Sequence, residues 1–214
     1  MNIFKPYRYL EKEVIEHLAL DILNQVQAKK KHPLKAKYVA EAVADHLDIG
    51  IVWEDISPDD EGYIAAMIWP IQKEIIINEQ IPELEGGFGQ STIAHEIGHW
   101  LLHIDRNALA VFKQRMTPEI KMTIEPYLCR RGNPKSQKRI EWQAQYFASC
   151  LLMPVYKLEE TRRGRNLTNW KHLYAMRDAF GVTISNLTNR LQELGWIHIP
   201  KGSKQIYRGN NFPR

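Results

Sequence analysis

The 214-residue sequence predicts an α+β protein, mainly helical, with a small, partly antiparallel sheet ahead of one central helix. Three features point there. Apolar residues recur every four positions through residues 8–29, as on one face of a helix. Short runs rich in β-branched and aromatic residues, separated by turn formers, fill 49–78. Residues 92–103, T-I-A-H-E-I-G-H-W-L-L-H, then return to a helical period and carry the pattern H-E-x-x-H.

In chain order, 8–29 reads as a long amphipathic helix. Leu10, Val14, Leu18, Ile22 and Val26 form its stripe, and Ile15 and Leu23 widen it. Lys29-Lys30-Lys31-His32-Pro33 ends it, a solvated basic end that suits the helix dipole. A second helix is expected from about 35 to 47, with Val39, Val43 and Leu47 inward. Residues 49–53 read as a strand, and Ser57-Pro58-Asp59-Asp60-Glu61-Gly62 as a turn. Strands over 63–69 and 73–78 follow, joined by Pro70-Ile71-Gln72. Ile75-Ile76-Ile77 is β-branched throughout, which suggests cover on both faces, and an edge of this sheet suits strand addition by a peptide.

The H-E-x-x-H helix is expected over about 88–104. At 100° per residue, Ile93, Ala94, Ile97, Trp100, Leu101 and Ile104 cluster on a core face. Thr92, His95, Glu96, His99 and His103 take the other. His95 and His99 leave the helix one turn apart, the separation at which two imidazoles reach one tetrahedral zinc. Glu96 lies beside them, where a carboxylate can take a proton from water activated at the metal. Residues 105–139 are the least legible; the basic run Arg130, Arg131, Lys135, Lys138, Arg139 reads as a solvated loop.

A catalytic zinc wants a third protein ligand. A third histidine six places beyond the second would fall at Asp105, and His103 lies a turn too far along the helix, which leaves it a supporting or packed role. Glu141 is the better candidate. Read as a helix, 141–152 puts Glu141, Gln145, Ala148 and Leu152 on one face, with Ala144 flanking. The small alanines permit close approach to another helix, Phe147, Cys150 and Leu151 face the core, and Pro154 ends the segment.

These two motifs together, H-E-I-G-H followed by L-L-H and then E-W-Q-A-x-x-F-A-x-x-L-L-M-P, resemble those of the ImmA/IrrE family of gluzincin-like zinc metallo-endopeptidases. The resemblance implies a zincin-like core, one zinc ion held by His95, His99 and Glu141, and Glu96 as the catalytic carboxylate. It also implies a protein substrate of the DNA-binding repressor class, in phage, mobile-element or stress-response regulation. Two positions depart from the family pattern. Gln145 stands where Asp or Asn is usual four places after the ligand Glu, a position expected to orient a ligand. Ser91-Thr92 replaces Phe-Thr ahead of the first motif, and the stretch between the motifs is long.

The expected organisation is a zincin-like metallopeptidase domain over 1–160, a helix-turn-helix-like unit over 161–200, and a loose tail over 201–214. In the second unit one helix starts near Thr168-Asn169-Trp170, with Leu173, Met176 and Phe180 inward. Gly181-Val182-Thr183 turns, and a second helix runs 184–194 with Leu187, Leu191 and Leu194 inward. Its outward set, Ser185, Asn186, Thr188, Asn189, Arg190 and Gln192, has the chemistry to contact bases, but positioning a protein substrate is the preferred role.

Composition limits the remaining classes. A 44% hydrophobic, 25% charged chain is an ordinary globular mix, and a net charge of +4 is too small to demand a nucleic-acid partner. Two cysteines, Cys129 and Cys150, exclude a disulfide scaffold and suggest a reducing compartment. No apolar run reaches signal-peptide or membrane length, so a cytoplasmic location is expected. The leading reading is a zinc endopeptidase with Tyr127, Tyr146 or His172 as oxyanion donor. The alternatives are a zinc-stabilised, non-proteolytic regulator acting through the helix-turn-helix-like unit, and a zinc hydrolase of non-peptide bonds.

Overall fold

The computed structural model describes residues 3–60, 62–81, 87–115, 127–130 (backbone) and 138–213. Helix α1 (Lys12–Ala28) leads through a 3-10 turn (Ala36–Tyr38) into α2 (Val39–His46). Strands β1 (Gly50–Glu54), β2 (Ile64–Trp69) and β3 (Glu74–Asn78) precede the long helix α3 (Gly87–Leu102). Helix α4 (Arg106–Arg115) and strand β4 (Tyr127–Arg130) follow, then α5 (Lys138–Leu152) and α6 (Val155–Thr161). The chain closes with α7 (Trp170–Phe180), α8 (Ile184–Glu193) and the short strands β5 (Ile197–His198) and β6 (Tyr207–Arg208). This is the α+β, mainly helical class expected from the sequence.

The sheet runs β1-β3-β2-β4, with β1 and β3 parallel and the other two pairs antiparallel. Ile75 and Ile77 are fully buried, whereas Ile76 on the opposite face is only half-buried. The run of three isoleucines is therefore covered on one face, not two. The β2–β3 turn takes Lys73 through φ +59°, and the Lys73 ammonium is held by the Leu47 carbonyl at 3.2 Å and Asp48 Oδ2 at 3.0 Å.

Helix α3 is enclosed rather than amphipathic: all its residues except Gly87, Phe88 and Leu101 are buried. Its polar face is buried against α5. A Cβ at Gly98 would lie 3.0 Å from both Cα and O of Ala144, so the absence of a side chain is what lets these two helices approach. At the other end a Cβ on Gly87 would fall 2.5 Å from the Val182 carbonyl carbon, so the α7–α8 turn sits directly on the start of α3.

Three expectations are corrected. In α1 the buried stripe is Ile15, Ala19, Ile22, Leu23 and Val26, while Val14 and Leu18 are 46% and 40% exposed. Each four-residue step overshoots a helical turn by about 40°, so a strict i+4 series winds off the core face. In α8, Thr188 and Arg190 point inward; Arg190 is fully buried, donating to Glu16 Oε1 at 2.7 Å, Tyr146 OH at 3.3 Å and the Met153 carbonyl at 3.4 Å. The tail from Lys201 is docked, because β6 pairs with β5, Ile206 is buried, and Trp170 Nε1 donates to the Lys204 carbonyl at 2.7 Å. The inward positions Leu173, Met176, Phe180, Leu187 and Leu191 belong to the same core as Ile15, Ile75 and Ile97. Among the described residues no helix is long and apolar enough to cross a membrane.

Candidate metal centre

Helical spacing brings His95 and His99 to one side of α3, and close packing on α5 brings Glu141 to them from its first turn. His95 Nε2 and His99 Nε2 are 2.9 Å apart; Glu141 Oε2 is 3.1 Å from the first and Oε1 is 3.5 Å from the second. The imidazole rings meet edge to face with centroids 4.7 Å apart. His99 is fully buried, His95 is 6% exposed and the Glu141 side chain 14%.

This donor set fits a divalent ion. Metal–donor bonds of about 2.0–2.2 Å at tetrahedral angles put ligand atoms roughly 3.3 Å apart, close to the separations found here. One ligand atom from each of the three residues lies within 4.8 Å of the others, so the group could hold a metal ion. Protonation agrees. Burial pushes the His99 imidazole down to about 3, with Glu141 opposing only in part. Burial works to raise the Glu141 carboxyl, but its close contacts with His95 and His99 outweigh it and hold the group below the usual carboxylate range. A neutral imidazole and an ionised carboxylate are the forms that bind metal. Glu96, one residue on from His95, has no exposed surface.

The residues behind the ligands differ from expectation. His103 Nδ1 lies 3.0 Å from His99 Nδ1, and His103 Nε2 lies 3.0 Å from Gln143 Oε1. Gln143 Nε2 in turn donates to the Arg8 carbonyl at 2.9 Å. The amide behind the histidine pair is thus Gln143; Gln145 is exposed and lines a cavity of about 460 Å³. Gln143 falls well around the helix from Glu141, so no shared-face argument could have grouped the two. Ser91, Ser149, Asn186, Asn189 and Gln192 also line that cavity. Asn186, Asn189 and Gln192 of α8 therefore face that cavity, and with Arg190 and Thr188 inward the base-contacting set is dispersed.

Of the proposed oxyanion donors, Tyr146 is buried beside Arg190, and His172 Nδ1 accepts the Asn166 amide at 2.6 Å. Neither belongs to the His95–His99–Glu141 group or lines the 460 Å³ cavity. The Tyr127 side chain and the basic residues 131–135 lie outside the described residues.

Two histidines a turn apart on a buried helix, closed by a glutamate from a second helix, form a group that could hold a metal ion, as the metallopeptidase class requires. The family model for the IrrE N-terminal-like domain, peptidase M78, matches residues 44–192, and the chain belongs to that ImmA/IrrE family. Among solved structures it is similar to a Mycobacterium tuberculosis transcriptional regulator, with 15% identity and a TM-score of 0.52. That likeness covers 89% of this chain and 49% of the other, so the chain spans about half that protein's length, and it speaks to the fold alone. No curated protein matches the sequence.

Proposed function

We propose that the protein is a zinc-dependent endopeptidase that hydrolyses a peptide bond in a protein substrate. The observation that carries this reading is the convergence of His95, His99 and Glu141, with Glu96 adjacent on the same helix. When bound, zinc polarises the scissile carbonyl and lowers the pKa of the attacking water toward about 7. Glu96 takes the proton from that water on its carboxylate and delivers it to the leaving amine. The enclosure of α3 keeps bulk water from competing for these groups.

The amide- and hydroxyl-lined cavity fits a peptide main chain, since each carboxamide both donates and accepts. Membership of the ImmA/IrrE family supports a DNA-binding repressor as substrate, and a cytoplasmic site of action goes with that class. The test is cleavage of a repressor encoded beside the gene. Glu96→Gln is expected to retain zinc and to lose roughly 10²–10⁴-fold in cleavage rate, and chelation is expected to abolish cleavage. A Glu96→Gln protein that cleaves at the wild-type rate would defeat the reading.

A further inference from the structure

We infer that the main-chain carbonyl of Arg8 sets the tautomer of His99 through Gln143 and His103, which makes the latter two positioning residues for the metal centre. The inference rests on the reading of His99 Nε2 as a metal-binding atom.

Each link has only one polarity open to it. A backbone carbonyl can only accept, so Gln143 must turn its NH₂ toward Arg8, at 2.9 Å. The amide oxygen then faces His103 Nε2 at 3.0 Å, and an amide oxygen can only accept, so His103 carries its hydrogen on Nε2. A neutral imidazole with hydrogen on Nε2 has a lone pair on Nδ1. That lone pair meets His99 Nδ1 at 3.0 Å, so His99 carries its hydrogen on Nδ1. His99 Nε2 is left as a lone pair facing His95 and Glu141, the form a metal ion requires. The opposite tautomer would put a hydrogen on Nε2 and close the site.

Burial makes the order strict. Gln143 is 1% exposed, His103 8% and His99 0%, so solvent has little access with which to satisfy a reversed chain. The far end is anchored as well. The Lys5 amide donates to the His103 carbonyl at 2.8 Å, and the Asp105 amide donates to the Ile3 carbonyl at 2.8 Å. The N-terminal segment is therefore clipped to the end of α3 and holds the Arg8 carbonyl in place. This anchor lies outside the span 44–192 matched by the family model.

The test has two readouts on the full chain. Long-range ¹H–¹⁵N spectra of the metal-free protein at neutral pH are expected to show His99 protonated on Nδ1 and His103 on Nε2. Zinc affinity, measured by competition with a chromophoric chelator, is expected to fall about 10- to 100-fold in Gln143→Leu and in His103→Phe. Because the links act in series, the double variant is expected to lose no more than the worse single variant, whereas independent packing losses would multiply. His103→Phe breaks the same chain at its next link and provides the second variant should Gln143→Leu fail to fold. Hydrogen on His99 Nε2 in the wild type, or losses that multiply in the double variant, would overturn the relay. A wild-type protein that bound no zinc would overturn the proposed function, and the metal-free spectra would still decide the relay.

Discussion

The Cys150 thiol is buried near Tyr146 and the Arg190 guanidinium, and burial pushes its pKa up to about 12 from an ordinary 9.0. Folding thus holds the thiol proton. That contribution is intact below about 9 and drains as the pH climbs from there toward about 12. In a Cys129→Ser background, iodoacetamide at pH 9 is expected to label Cys150 slowly in the native protein and quickly in denaturant. Equal rates would contradict its burial. The neighbouring Arg190 is a fully enclosed charge whose ionic partner, Glu16, is itself partly exposed. Glu16→Ala strands that charge and is expected to cost about 3 kcal/mol. Arg190→Met removes it and is expected to cost less; denaturant unfolding of both variants checks the order. Arg190 flanks the apolar stripe of its own helix, and its counter-charge lies 174 positions away, so periodicity within α8 could not place it. The His95–His99 pair was legible for the opposite reason, since its spacing is local and helical geometry does the rest.

Helix α3 carries Gly98 at its closest approach to α5. In an exposed helix Gly→Ala gains about 1 kcal/mol. Here a methyl would meet Ala144 backbone atoms at 3.0 Å, and backbone cannot step aside as a side chain can. Gly98→Ala is expected to destabilise the protein by about 1–3 kcal/mol, as overpacking does, and to weaken zinc binding by moving Glu141 off the histidine pair. A stabilised variant with unchanged affinity would contradict the packing. The strands and α5 were readable because β-branched runs and an alanine-spaced face are strong local signals. Helix α4 is not legible in the sequence. It buries only Leu109 and Phe112 among polar and basic residues, too narrow a stripe to stand out. Its one clear signal was Asp105, whose Oδ1 caps the amides of Asn107 and Ala108 at 3.0 Å each.

Among the described residues one hydrophobic core takes in residues from Ile3 to Ile206, including Leu173 and Phe180 of α7 and Leu187 and Leu191 of α8. Unfolding is therefore expected to be one cooperative transition by both circular dichroism and tryptophan fluorescence. Two separable transitions would mean that α7 and α8 fold apart from the rest. The sequence showed those helices and their turn, but their docking depends on Gly87 meeting Val182 and Arg190 meeting Glu16, contacts between distant segments. The candidate metal centre has the same character in part: one helix supplies its two histidines by local geometry, and the glutamate arrives only through the α3–α5 packing. Zinc content by mass spectrometry after exhaustive dialysis examines that convergence directly. One zinc per chain is expected in the wild type and in Glu96→Gln, with loss of the bound metal in Glu141→Ala. A folded Glu141→Ala protein that still holds one zinc per chain would contradict the three-residue site.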